Sequence, residues 1–232
     1  GVELLGGRDA VLGSLRRALA ATPIAAVEVI RGYQRAGSCE AGAEALLERF
    51  VERVGHYRAV VATVGTAEVG DAVAAALGRD GELSLLVPGE GIDPSWLAPA
   101  VAAGVEVLTD DGALGNDTLD RTAAVLTTAE LGIAETGTIV LAGGGSQGRR
   151  AISLVPDHHV VVLSSDRIVA AVPDAVGALE AFGTQTWISG PSATSDIELQ
   201  RVEGVHGPRR LDVIVVLPGE HGPDGATATA KA

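Results

Sequence analysis

From Arg58 to Leu108 the chain reads RAVVATVGTAEVGDAVAAALGRDGELSLLVPGEGIDPSWLAPAVAAGVEVL. Three short runs rich in β-branched residues, Ala59 to Val64, Leu83 to Val87 and Val105 to Leu108, alternate with alanine-rich stretches near Ala67 to Leu77 and Pro94 to Ala103. The runs have strand length and composition, and the stretches between them read as helices. Strands alternating with helices imply right-handed crossovers and a mostly parallel sheet, so the expected class is α/β, a Rossmann-like layered fold. The first strand ends at Val64-Gly65-Thr66, where Thr66 can cap the helix that follows. Ligands of such sheets sit beyond the carboxyl ends of strands, which makes Gly65 and Thr66 candidates for a pocket rim; a plain turn and cap is an equal reading.

Upstream, Val11, Leu12, Leu15, Ala18 and Leu19 share one helical face between Arg8 and Ala20, and Ala43, Leu46, Leu47, Phe50, Val51 and Val54 repeat the pattern more strongly. Residues 1–56 are thus expected to form a helical segment packed on an α/β domain of residues 57–218, with 219–232 a flexible Gly/Ala/Thr-rich tail. Downstream, Ile139 to Leu141, His159 to Leu163, Ile168 to Ala170, Thr186 to Ser189 and Leu211 to Leu217 read as strands. Pro173 to Phe182 reads as a helix opened by proline, and Gly143 to Gly148 as a connecting turn.

The composition removes several chemistries. The 232 residues include 30 acidic and 17 basic side chains, a net charge of −13, and only 3% aromatics, which argues against nucleic acid as a partner. Cys39 is the one cysteine and Lys231 the one lysine, so a disulfide, a thiolate cluster, a multi-cysteine zinc site, a Schiff base or a phosphate loop with its lysine is not expected within this chain. No metal and no cofactor is predicted: His158 and His159 alternate to opposite faces of a strand and cannot share one ion, and His56 and His221 lie in no motif. No apolar run approaches the roughly 20 residues of a membrane span. Gly1 to Arg8 carry no secretion signal, so cytoplasmic localisation is expected, and the lack of methionine suggests a trimmed start.

Four constellations can carry chemistry. Glu135-Thr136-Gly137-Thr138 sets a carboxylate beside two hydroxyls and a glycine, suited to acid–base work or to a simple β-turn. Arg149 and Arg150 follow the glycine turn and can clamp an anion or merely solubilise the surface. Gly190-Pro191-Ser192-Ala193-Thr194-Ser195-Asp196-Ile197-Glu198 contains a capping box, predicting a helix from Ser195 towards Gly204 whose amino end either is simply capped or holds an anion. In Gly204-Val205-His206-Gly207-Pro208-Arg209, His206 is framed as a proton donor or acceptor near neutral pH, with Arg209 beside it to hold carboxylate or phosphate.

Gly132 to Leu141, Gly190-Pro191-Ser192 with Thr194, Asp196, Ile197 and Glu198, and Gly204 to Arg209 together resemble the lactate-utilisation LUD family, most strongly from Ala124 to Leu217. The resemblance implies an α/β fold similar to the NagB/RpiA/CoA-transferase-like group, and a role in oxidising L-lactate to pyruvate beside iron–sulfur partner proteins. On that reading the chain is the non-redox component and binds a small carboxylate or an intermediate. Thr136, Gly137, Thr138, Arg150, Ser192, Thr194, Asp196 and Arg209 are the expected ligand-binding positions, with Glu135 and His206 a proton-transfer pair. Two other readings stand beside it: a free-standing enzyme on a phosphorylated sugar or acyl substrate, and a structural subunit for iron–sulfur partners.

Overall fold

The structure, a computed structural model, describes residues 7–21, 30, 32–33, 42–179, 183–194, 202–203 and 207–219. It divides into two compact units, Gly1–Gln34 and Arg35–Ala232. The first holds helix α1 (Gly7–Ala21), along one side of which lie Val11, Leu15 and Leu19. Among the described residues no helix is long and apolar enough to cross a membrane.

The second unit opens with α2 (Ala43–His56), β1 (Val60–Gly65), α3 (Val69–Gly78), β2 (Ser84–Pro88), α4 (Ala98–Ala102) and β3 (Glu106–Asp110). There follow α5 (Asn116–Arg121), β4 (Ala124–Thr128), β5 (Leu131–Ile133), β6 (Thr138–Leu141), β7 (His158–Ser164) and β8 (Ile168–Val169). It closes with α6 (Val172–Ala178), β9 (Thr186–Ile188), β10 (Ala193–Thr194), β11 (Val202–Glu203) and β12 (Arg210–Leu217). Six strands form one sheet in the order β1-β12-β7-β4-β2-β3, every pair parallel. A second sheet, β8-β5-β6-β9, is inserted between β4 and the last strand of the first.

Strict alternation along the central strands assigns each face of the large sheet its cover. Val160, Val162 and Ile214 point to one face and pack with Val69, Val73 and Leu77 of α3 and Ala100 of α4. Val161, Leu163, Val213 and Val215 point to the other and meet Phe50 and Val54 of α2 together with Ile139 and Leu141 of the small sheet. Burial on both faces is why β7 and β12 are nearly continuous apolar runs rather than alternating ones. Truncating a side chain as deeply enclosed as Phe50, which is fully buried, costs about 3–5 kcal/mol.

Close approach of α2 depends on Gly137 in the turn between β5 and β6. Its φ is +62°, and a Cβ there would lie 2.7 Å from the carbonyl carbon of Arg53 and 2.8 Å from the backbone nitrogen of Val54. Only a bare backbone lets the helix sit on that turn.

Several sequence expectations are modified. Helix α3 is entered through a 3-10 turn, Thr66–Glu68, and its start is closed by Glu68, whose carboxylate accepts the Gly65 N–H at 2.8 Å, rather than by Thr66. The proline-opened helix ends at Ala178, and 180–182 lie outside the described residues. Gly144 and Gly148 close the glycine turn by an antiparallel bridge. The predicted helix from Ser195 begins outside the described residues, but it does not reach Gly204: Val202–Glu203 is a strand paired antiparallel with Ala193–Thr194. The reason is local, since Val202 and Thr194 are β-branched and suit cross-strand pairing better than a helical last turn.

Candidate functional site

Strands β7 and β12 start side by side, with His159 in register with Leu211. Both residues point to the face covered by the small sheet. There they form the floor of a cleft of about 250 Å³. One wall runs along β9 and on through Ser189 to Ser192; the other is the turn carrying Arg150, Ser153 and Leu154, and Gly207 and Pro208 complete the rim. The wall is shaped by Gly190, whose φ of +86° and lack of a side chain let it pass Tyr57, where a Cβ would come within 2.4 Å of the tyrosine Cβ. A hydrogen bond from Ser192 N–H to Pro208 O, 2.8 Å, ties the two rims together.

His159 is 1% exposed, and its Nε2 lies 2.8 Å from the hydroxyl of Thr127, itself fully buried on the neighbouring strand β4. Burial first, and then the charges of His158 and Arg150, pull its pKa down from the usual 6.5 to about 3. The imidazole in the cleft is therefore neutral near pH 7, with one ring nitrogen a donor and the other an acceptor. Thr127 can serve either form, because its hydroxyl donates or accepts.

Arg150 is exposed at the mouth of the cleft, where its Nη1 reaches the Ser153 hydroxyl at 3.3 Å. Among the described residues it has no carboxylate partner, in contrast to the arginines around it. Arg149 donates to both oxygens of Asp110, at 2.8 and 3.0 Å, and to Leu114 O at 2.7 Å. Arg209 makes a two-point pair with Asp157, its Nη2 2.8 Å from Oδ2. That bond holds the Asp157 carboxyl below the usual range and raises Arg209. Arg210 binds Glu82 and Asp80.

His158, one residue before His159, faces the opposite way and belongs to a different system. Its Nδ1 is 2.8 Å from Glu82 Oε2 and its Nε2 2.7 Å from Asp212 Oδ2, with Arg79 and Arg210 on the outer oxygens of those carboxylates. The group is buried against the carboxyl end of α3 and locks β7 to β12 and to the loop before β2.

The positions singled out from sequence are thus placed differently. Arg150 and Ser192 line the cleft. Thr136 and Thr138 do not, but their hydroxyls lie 2.7 Å apart and Thr138 continues to the hydroxyl of Ser189 at 2.8 Å, so a chain of three hydroxyls runs to the cleft wall. Gly137 supports α2. Glu135 is exposed in the same turn, held by its backbone N–H to Ala170 O at 3.0 Å. Arg209 is engaged with Asp157 and lies outside the lining. Asp196 and His206 fall outside the described residues, as does the side chain of Thr194, although Gly207 next to His206 is part of the rim. Gly65 and Thr66 do not line this cleft. Sequence reasoning passed over His159, Ser153 and Ser189; the usable signal was the alternation that separates His158 from His159, which gives each histidine its own face.

An inserted small sheet on a parallel α/β core, with a cationic cleft between the two, defines the class. The LUD domain model matches residues 97–216, and the chain belongs to the LUD-domain family. It is 47% identical over 175 residues to lactate utilization protein C of Deinococcus radiodurans, an alignment covering 74% of this chain and 79% of that one. With lactate utilization protein C of Halalkalibacterium halodurans it shares 36% identity over 99 residues, 39% of this chain and 43% of the relative. The crystal structure of a DUF162 family protein from Deinococcus radiodurans superposes with a TM-score of 0.65 at 40% identity, covering 76% of this chain and 99% of the other.

Proposed function

We propose that this chain serves in lactate utilisation, as the non-redox component of a cytoplasmic system that oxidises L-lactate to pyruvate beside iron–sulfur proteins, and that its cleft binds a small carboxylate. The names of the relatives support the pathway. The observation that carries the ligand class is Arg150, a guanidinium at the mouth of a concave site with no acid of its own among the described residues. Guanidinium binds carboxylate through paired, charge-assisted hydrogen bonds, and the Ser189 hydroxyl stands in the wall of the same cleft. Electron transfer falls to partners, because the single cysteine of this chain cannot hold a cluster. Glu135 and His206 are the proton-transfer candidates to substitute.

The phosphorylated-substrate reading needed Arg209 as a second cation, and its pairing with Asp157 gives that reading no support. The test is a thermal-shift titration of the full chain with L-lactate, pyruvate and inorganic phosphate. A carboxylate that binds only the folded form raises the melting temperature, and Arg150→Gln abolishes the shift. Equal shifts in wild type and variant, or a response to phosphate alone, would overturn the proposal.

A further inference from the structure

The lining of the cleft says more than that an acid binds. Among the described lining residues Arg150 is the only one that carries charge, since His159 is neutral. Beside it stand hydroxyls, those of Thr186, Ser189 and Ser192 among them, and the apolar Leu154, Ile188 and Leu211, none of which is a cation to pair with a second carboxylate. Such a site pairs with one carboxylate and gives a second one no counter-charge.

His159 supplies a second polar point. Among the described residues no fully buried side-chain nitrogen or oxygen lacks a partner. The ring bonds through Nε2 to Thr127, among the described residues no partner holds Nδ1, and the residue lines the cleft, so Nδ1 is open to what the cleft contains.

We infer that the cleft recognises 2-oxo and 2-hydroxy monocarboxylates at two points, the carboxylate on Arg150 and the oxygen at C2 on Nδ1 of His159. This deepens the carboxylate reading above and rests on it. A ketone oxygen needs a donor, which the Nδ1–H tautomer provides while the Thr127 hydroxyl donates to Nε2. A hydroxyl can instead donate to a bare Nδ1, with Nε2–H donating to Thr127. A change of ring tautomer, one nitrogen releasing its proton to water as the other takes one up, with the threonine hydroxyl rotating to follow, thus fits the same site to both members of an oxo/hydroxy pair without moving a heavy atom. The low proton affinity of the ring keeps it in this neutral, two-faced form, where an imidazolium would only donate.

The test is calorimetric titration of the full chain with pyruvate, L-lactate, propionate and 2-oxoglutarate, alongside nitrogen NMR of the His159 ring. Pyruvate and L-lactate are expected to bind about tenfold more tightly than propionate, which lacks the C2 oxygen, and than 2-oxoglutarate, which brings a second charge. The Nδ1 resonance is expected to shift with pyruvate and not with propionate, and the ring to remain neutral from pH 5 to 8. Thr127→Val, which leaves His159 in place, is expected to shrink the preference over propionate. Propionate binding as tightly as pyruvate, with both lost in Arg150→Gln, overturns the role of His159 and leaves the carboxylate site standing. If no acid binds, or if Arg150→Gln changes nothing, the carboxylate reading itself is overturned.

Discussion

The hydroxyl of Thr127 and the Nε2 of His159 meet at 2.8 Å inside the protein, across neighbouring parallel strands, behind the floor that His159 gives the cleft. Neither side chain could be buried there alone without a cost of about 1–3 kcal/mol for the orphaned polar group. Together they give the floor one polar feature, whose donor or acceptor sense follows the ring tautomer and the orientation of the hydroxyl.

Acid sensitivity follows from the same pair. The folded protein holds His159 neutral down to about pH 3, whereas the unfolded chain protonates it near 6.5. Its contribution is therefore intact above about pH 6.5 and is lost progressively as pH falls towards 3. Between pH 7.5 and 5 the loss is about 2 kcal/mol, at about 1.4 kcal/mol per unit. Urea unfolding at the two pH values checks this: His159→Gln is expected to lower stability at pH 7.5 but to lose about 2 kcal/mol less than wild type on going to pH 5.

Arg150 and Arg209 should separate function from stability. Arg150→Gln removes no ion pair found among the described residues, so its thermal midpoint stays within about 2 °C of wild type while carboxylate affinity falls about tenfold or more. Arg209→Gln breaks a two-point pair whose arginine side chain is 62% exposed, a loss of at most about 1 kcal/mol, and leaves affinity unchanged. Differential scanning fluorimetry and calorimetric titration of the two variants make the comparison.

Gly137→Ala is expected to cost about 2–4 kcal/mol, combining a positive φ with collision against the backbone of α2 at Arg53 and Val54. Gly143→Ala provides the control. It shares a positive φ, +76°, but its Cβ would meet nothing nearer than 3.8 Å, so only about 1 kcal/mol is lost. Denaturant midpoints of the two variants, at unchanged slope, separate the terms.

Thr138→Val removes the middle of the hydroxyl chain Thr136, Thr138, Ser189 at a buried position. A destabilisation of about 1–2 kcal/mol is expected from the unmade bonds. Ser189 then loses its tether, and carboxylate affinity weakens about threefold, measurable in the same titrations.

Most of the large sheet was legible because β-branched runs such as Val160 to Leu163 and Leu211 to Val215 are buried on both faces and leave an unbroken apolar signature. Strand β4, Ala124–Thr128, and strand β5, Leu131–Ile133, are separated by two residues and blur into one mixed stretch. Helix α5, Asn116–Arg121, is too short and polar to show a period. At the site, local pattern pointed to Arg150 and Arg209 alike. What separates them is Asp157, 52 residues from Arg209 in sequence, and no local motif carries that distance. His159 was hidden for the same reason: its face was readable, but what stands on that face is contributed by β4, β9 and the turn after β6.

The adjacency of His158 and His159 makes β7 a reading frame. Deleting one residue within the strand, downstream of both histidines, would turn each to the other face, delivering the first ring to the solvent-reached cavity and the second to the place of Val160 among the apolar side chains under α3. The chemistry of each imidazole is therefore an address rather than an identity. A protein that lost this alignment would keep its composition, its histidine count and much of its apolar texture, and neither ring would keep its setting.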